Sequence, residues 1–95
     1  MKKILVTQRI DKIGKHFEFR NNLDTRLTSL LSSLGYLPII LPNNVGILAK
    51  ILREIRFDGI ILSSGGDPRK NDTRRKIERK LINTSLKKNI PLLGI

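Results

Sequence analysis

Three short stretches of this 95-residue chain carry residue types that can do chemistry: "TQR" at Thr7 to Arg9, "PNN" at Pro42 to Asn44, and "SSGGD" at Ser63 to Asp67. The glycine pair is the most informative. Without a β-carbon, Gly65 and Gly66 can turn a backbone N–H outward and let a ligand approach closely. On its own the stretch reads equally as an anion-stabilising turn or as a plain break between a strand and a helix. A phosphate cradle is disfavoured, because Pro68 removes a donor and Asp67 repels an anion. Arg9 can hold a carboxylate in a two-pronged fork, with Gln8 beside it, or the two can simply close a strand at the surface. His16 reads as an ordinary loop histidine. There is no cysteine, which removes thiol chemistry, disulfides and Cys-ligated metal from these residues. No metal site and no cofactor are expected.

The elements that would position these stretches alternate. "KKILVT" (Lys2 to Thr7) is a short, β-branched apolar run and predicts a buried strand. The polar stretch "QRIDKIGKHFEFRNN" has no sustained period and reads as a functional loop or ragged connection, with "EFRNNLD" supplying capping and loop order. Leu23, Leu27, Leu30, Leu31 and Leu34 then form a helical stripe, and Gly35 stands where a left-handed residue ends a helix. "YLPIILP" predicts a second strand, with Pro38 near its start. Asn43 or Asn44 caps a helix whose Leu48, Ile51, Leu52 and Ile55 share a face. "DGIIL" (Asp58 to Leu62) is a third strand. A third helix follows "SSGGDP", capped by Asn71 or Asp72, with Ile77, Leu81, Ile82 and Leu86 as core contacts. "IPLLGI" is the fourth strand.

The order is β-α-β-α-β-α-β, with near-continuous apolar strands. That predicts an α/β fold: a doubly wound parallel sheet with helices on both faces, Rossmann- or flavodoxin-like. Chemistry in such sheets gathers beyond the carboxyl ends of the strands, which is where these three stretches fall and where whatever follows Gly94-Ile95 would join them.

Size and charge bound the rest. The chain fits one small domain or a piece of a larger one. An apolar share of 39% supports a packed core, and no segment approaches a membrane span. The start is too short and too quickly polar for a signal peptide, so a cytoplasmic protein is expected. The net charge of +11 is concentrated in "PRKNDTRRKIERK". None of the four aromatics interleaves with that cluster, so the run reads as a solvated helix face and nucleic acid is an unlikely partner.

With strand three ending "ILSSGGDP" and strand four ending "IPLLGI", the chain resembles the class I glutamine amidotransferase superfamily. More narrowly it resembles the gamma-glutamyl-gamma-aminobutyrate hydrolase branch. The resemblance runs from Met1 to Ile95 through "KKILVTQR", "LGYLPIILPN", "FDGIILSSGGDP" and "IERKLINTSLKKNIPLLGI". It implies that residues 1–95 are the N-terminal part of a single domain ending just before a nucleophile elbow, Gly-x-Cys-x-Gly. Gly94 would match its first glycine and Ile95 the x. It implies hydrolysis of glutamine or another gamma-glutamyl amide through a cysteine thioester. It places the oxyanion hole in the loop Ser64 to Asp67, at Gly66, with Gly65 setting the turn and Asp67 on the substrate side. Gln8 and Arg9 are substrate-binding candidates by their position at the same sheet edge, apart from the resemblance. The catalytic Cys, His and Glu are not assignable in this chain.

Two alternatives stay open. The chain can be a stand-alone half that pairs with a second chain carrying those three residues, or a basic nucleotide- or nucleic-acid-binding module on the same fold. A synthase partner and a homo-oligomer are further expectations. Against the nucleotide reading, "TQRIDK" has no glycine after the first strand and there is no phosphate loop with a lysine.

Overall fold

The computed structural model describes residues 1–14, 18–63 and 72–95. Six strands and three helices are present among them: β1 (Lys2–Val6), β2 (Arg9–Ile13), β3 (Glu18–Asn22), α1 (Thr25–Ser33), β4 (Tyr36–Ile40), α2 (Val45–Glu54), β5 (Gly59–Leu62), α3 (Asp72–Lys88) and β6 (Leu92–Gly94). Four strands form a parallel sheet in the order β4-β1-β5-β6, and β2 and β3 form a separate antiparallel pair.

Successive strand residues point to opposite faces, so each apolar strand serves two cores. Leu5 and Ile60 are paired across β1 and β5, as are Val6 and Ile61. Leu5 and Ile60 pack with Leu48 and Leu52 of α2, Ile77 and Leu81 of α3, and Phe57. Val6 and Ile61 meet Leu31 of α1, with Leu23, Leu27 and Tyr36 around them. Thus α1 lies on one face of the sheet and α2 and α3 on the other, which is why the strands read as unbroken apolar runs.

The helix ends follow their sequence signals. The Asp24 side chain accepts from the Arg26 N–H at the start of α1. Asn44 accepts from the Ile47 N–H at 2.8 Å at the start of α2. Gly35, just past α1, has φ +86, the left-handed conformation that the helix stop requires.

Three expectations need correction. The stretch after β1 is not a ragged loop: Arg9–Ile13 and Glu18–Asn22 pair in antiparallel register, Arg9 opposite Asn22 and Asp11 opposite Arg20. The element order is therefore β-β-β-α-β-α-β-α-β. Second, the helix faces are narrower than the leucine spacing suggested. Leu30 and Leu34 on α1 are exposed, as are Ile82 and Leu86 on α3, while Leu31, Ile77 and Leu81 carry the burial. Third, the basic run is not wholly solvated, because Arg74 is buried with 4% of its surface exposed. The proposed cap Asn71 lies outside the described residues.

Among the described residues no helix is long and apolar enough to cross a membrane.

Candidate substrate cleft at the carboxyl edge

The carboxyl ends of β1, β5 and β6 are tied into one edge. Thr7 follows β1 and Ser63 follows β5; both are buried. The Thr7 N–H donates to the Ile61 carbonyl at 3.1 Å, and the Ser63 N–H donates to Thr7 Oγ1 at 2.8 Å. Ser63 Oγ in turn donates to the Thr7 carbonyl at 2.6 Å. Ile95 extends the pattern beyond β6, its N–H donating to the Leu62 carbonyl at 3.0 Å. Two short hydroxyl side chains at neighbouring strand ends satisfy each other's backbone groups, so the edge stays rigid where the ladder stops.

Arg74 secures this edge from the α3 side. Its Nη2 donates to the Ser63 carbonyl and its Nε to Glu78 Oε1 at 3.1 Å, one helical turn on. A buried guanidinium is tolerated only where acceptors meet it, and here two of them come from β5 and from its own helix. The sequence reading missed this residue. Its spacing was a usable signal, since position 74 precedes Ile77 by three and Leu81 by seven and so lies on the buried stripe.

The β2–β3 pair is anchored over the same edge by amides. Asn43 Nδ2 donates to the Gln8 carbonyl at 2.9 Å and to Asn21 Oδ1 at 3.0 Å. Gln8 Nε2 donates to the Leu41 carbonyl at 2.9 Å. Gln8 thus joins the ends of β1 and β4.

Between the base of the hairpin and the start of α1 lies a cavity of about 490 Å³, within the size range of small-molecule sites. Arg9, Asn22, Asp24 and Ser63 supply its polar wall; Leu23, Leu27 and Ile95 supply the apolar one. Of the two candidates at the first strand's end, Arg9 lines the cavity and Gln8 is not among its described lining residues. Arg9 Nε donates to Asp11 Oδ2 at 3.2 Å, and the same oxygen accepts from Asn22 Nδ2 at 2.7 Å. Gly65, Gly66 and Asp67, together with Ser64 and His16, lie outside the described residues. Their neighbour Ser63 is on the cavity wall.

Asp24 is held ionised. Hydrogen bonds from the Arg26 side chain, then from its backbone N–H, lower its pKa to about 2. The folded chain therefore favours the carboxylate, and this contribution is complete above the ordinary carboxylate pKa. It fades as the pH falls from about 4 towards 2. Asp24→Asn keeps a capping oxygen but no charge, so its urea midpoint should change less over that interval than the parent's. Equal slopes for the two proteins would remove Asp24 as a source of acid sensitivity.

No group of three or more His, Cys, Asp or Glu side chains able to hold a metal occurs among the described residues. No family model matches this sequence, and no curated protein matches it.

Proposed function

We propose that this chain supplies the scaffold and the anion-stabilising wall of a class I glutamine amidotransferase-like hydrolase. It would act on a gamma-glutamyl amide, with the cysteine, histidine and glutamate contributed by residues outside these 95. The observation that carries this reading is the cavity at the carboxyl edge, where Ser63, Ile95 and Arg9 share one wall system. Its place is where chemistry gathers in parallel α/β sheets. The strand order β4-β1-β5-β6, with helices on both faces, supports reading the sheet as half of a doubly wound, flavodoxin-like domain. Resemblance assigns the oxyanion hole to Gly66 and Gly65, which follow Ser63 after one intervening residue, Ser64.

The chemistry required of this half is electrostatic. As a thiolate adds to the amide carbonyl, negative charge grows on oxygen, and fixed N–H donors lower the barrier. Each such donor is typically worth about 100- to 1000-fold in rate. The rigid Thr7–Ser63–Arg74 knot is a suitable foundation for a donor that must not move during the reaction.

Hydrolysis of L-glutamine and of a chromogenic gamma-glutamyl anilide tests the reading. The 95 residues alone should give no turnover above background at any pH. Supplied with the residues or the second chain that carries the cysteine, the assembly should turn over and lose activity on thiol alkylation. Turnover by the 95 residues alone, or alkylation-resistant turnover by the assembly, would overturn the assignment.

A further inference from the structure

We propose that the cavity beside the hairpin contains a carboxylate subsite built on Arg9, and that its ligand is a small aliphatic carboxylate. Identifying that ligand with the glutamyl end of an amide substrate rests on the amidotransferase reading; the subsite itself rests on geometry.

Three observations carry it. First, Arg9 is oriented. Asp11 takes its Nε, and Asn22, directly opposite Arg9 in the hairpin, holds the same Asp11 oxygen. Second, its working edge is open. The two terminal Nη groups of Arg9 make no hydrogen bond among the described residues. A guanidinium offers five N–H donors in a fixed plane, and one carboxylate takes two of them side by side. Asp11 occupies the Nε position and leaves the end-on pair. Third, the cavity is amphipathic: Leu23 and Leu27 give it an apolar surface, and Ser63 and Ile95 bring it to the sheet edge. A ligand anchored by its carboxylate at Arg9 would lay its methylenes over those leucines. Its far end would then lie towards Ser63, two positions before the glycine pair in the sequence.

The same wall sets the charge preference. Asp24 lines the cavity and remains ionised, with Arg26 as its partner. A second anionic group on the ligand would be disfavoured there, so the site suits one carboxylate with a neutral tail. Asp11 and Asn22 act through Arg9 and are positioning residues.

The test is ligand titration of the full chain followed by backbone amide NMR, using two compounds that differ in one group. 4-Carbamoylbutyrate carries a carboxylate and an amide; glutaramide carries two amides. Millimolar 4-carbamoylbutyrate should shift the signals of Arg9, Asn22, Leu23 and Ile95. Glutaramide should bind about tenfold to a hundredfold more weakly, the usual worth of a charge-assisted pair. Arg9→Gln should abolish that preference, and Arg9→Lys should restore little of it, because an ammonium keeps the charge and loses the fork. Equal binding of the two compounds, a preference that survives Arg9→Gln, or shifts confined to residues away from the cavity would each overturn the subsite. If Arg9→Gln also disturbs the core signals of Leu5, Ile60 and Leu81, the two-compound comparison on the parent chain decides alone. A carboxylate preference without gamma-glutamyl hydrolysis by the assembly would leave the subsite standing and remove the reaction. Hydrolysis without the preference would do the reverse.

Discussion

Leu5→Ala is expected to lower the melting temperature by roughly 10–40 °C. Leu5 is completely buried on β1, with β4 and β5 on either side of it. It meets side chains from both α2 and α3, in the cluster that also contains Leu48, Ile77 and Leu81. Truncation there removes apolar contact and leaves a void that two helices and two strands cannot all move to fill, costing about 2–5 kcal/mol. A domain of this size shifts by about 4–8 °C for each kcal/mol. Total stabilities are only about 5–15 kcal/mol, so this one change consumes a large part of the margin. Far-UV circular dichroism on heating, with a urea titration beside it, measures the loss. A shift of only a degree or two would mean that the sheet does not close over Leu5 as described.

The second large effect is at Arg74. Arg74→Leu keeps a bulky apolar stem but strips donors from a buried carbonyl at Ser63 and from Glu78, which is itself largely covered. Leaving such acceptors unpaired costs about 1–3 kcal/mol, and more where one of them is charged. A loss of about 2–4 kcal/mol is expected on the same scale. Arg74→Lys should recover less than half, since one ammonium on a flexible stem does not reproduce two directed donations from a planar group. Hydrogen exchange separates this defect from ordinary core damage: the amides of Ser63 and Ile95 should open well before those of Leu48 and Leu81. Uniform loosening across the sheet would show that Arg74 supports the whole core, with no special hold on the edge.

The parallel sheet and its helices were legible because burial on both faces leaves a plain signature. "ILV", "IIL" and the leucines of α2 have few other uses in a small domain. The hairpin was not legible for the opposite reason. Every residue of β3 is exposed and β2 buries nothing fully, so neither strand shows alternation between apolar and polar positions. Its pairing rests on backbone bonds and on contacts such as Asn22 with Asp11, which depend on register and leave no periodic trace. The over-broad helix faces have a geometric cause. On α1, Leu27 and Leu31 are one turn apart and run along the sheet, whereas Leu30 is rotated by about 60–100° from them around the axis. Leu34 shares their side but is the C-cap, past the last helical residue, and is exposed there. At the candidate site, Arg9 was readable from type and position. Its companions Asn22 and Asp24 were not, because nothing linear brings residue 9 beside residues 22 to 24. Arg74 was concealed by its neighbours: amid Arg75, Lys76, Arg79 and Lys80, one more cation looked like one more solvated charge.

The two margins of the parallel sheet differ in a way that bears on how this chain meets others. On β4, the Leu41 N–H turns inward to the Val6 carbonyl, so by the period-two rule positions 37 and 39 also face β1 and Pro38 faces outward. A proline there withholds a donor from the middle of that border. On β6, Ile95 turns inward, which leaves the N–H groups of Leu92 and Gly94 directed outward, beside a largely exposed Leu93. Lateral growth of the sheet is therefore uneven: Pro38 interrupts the outward donor row of β4 between Tyr36 and Ile40, whereas the row on β6 is unbroken. An added strand, whether from the same polypeptide or from another, finds a fuller set of backbone donors beside β6 than beside β4.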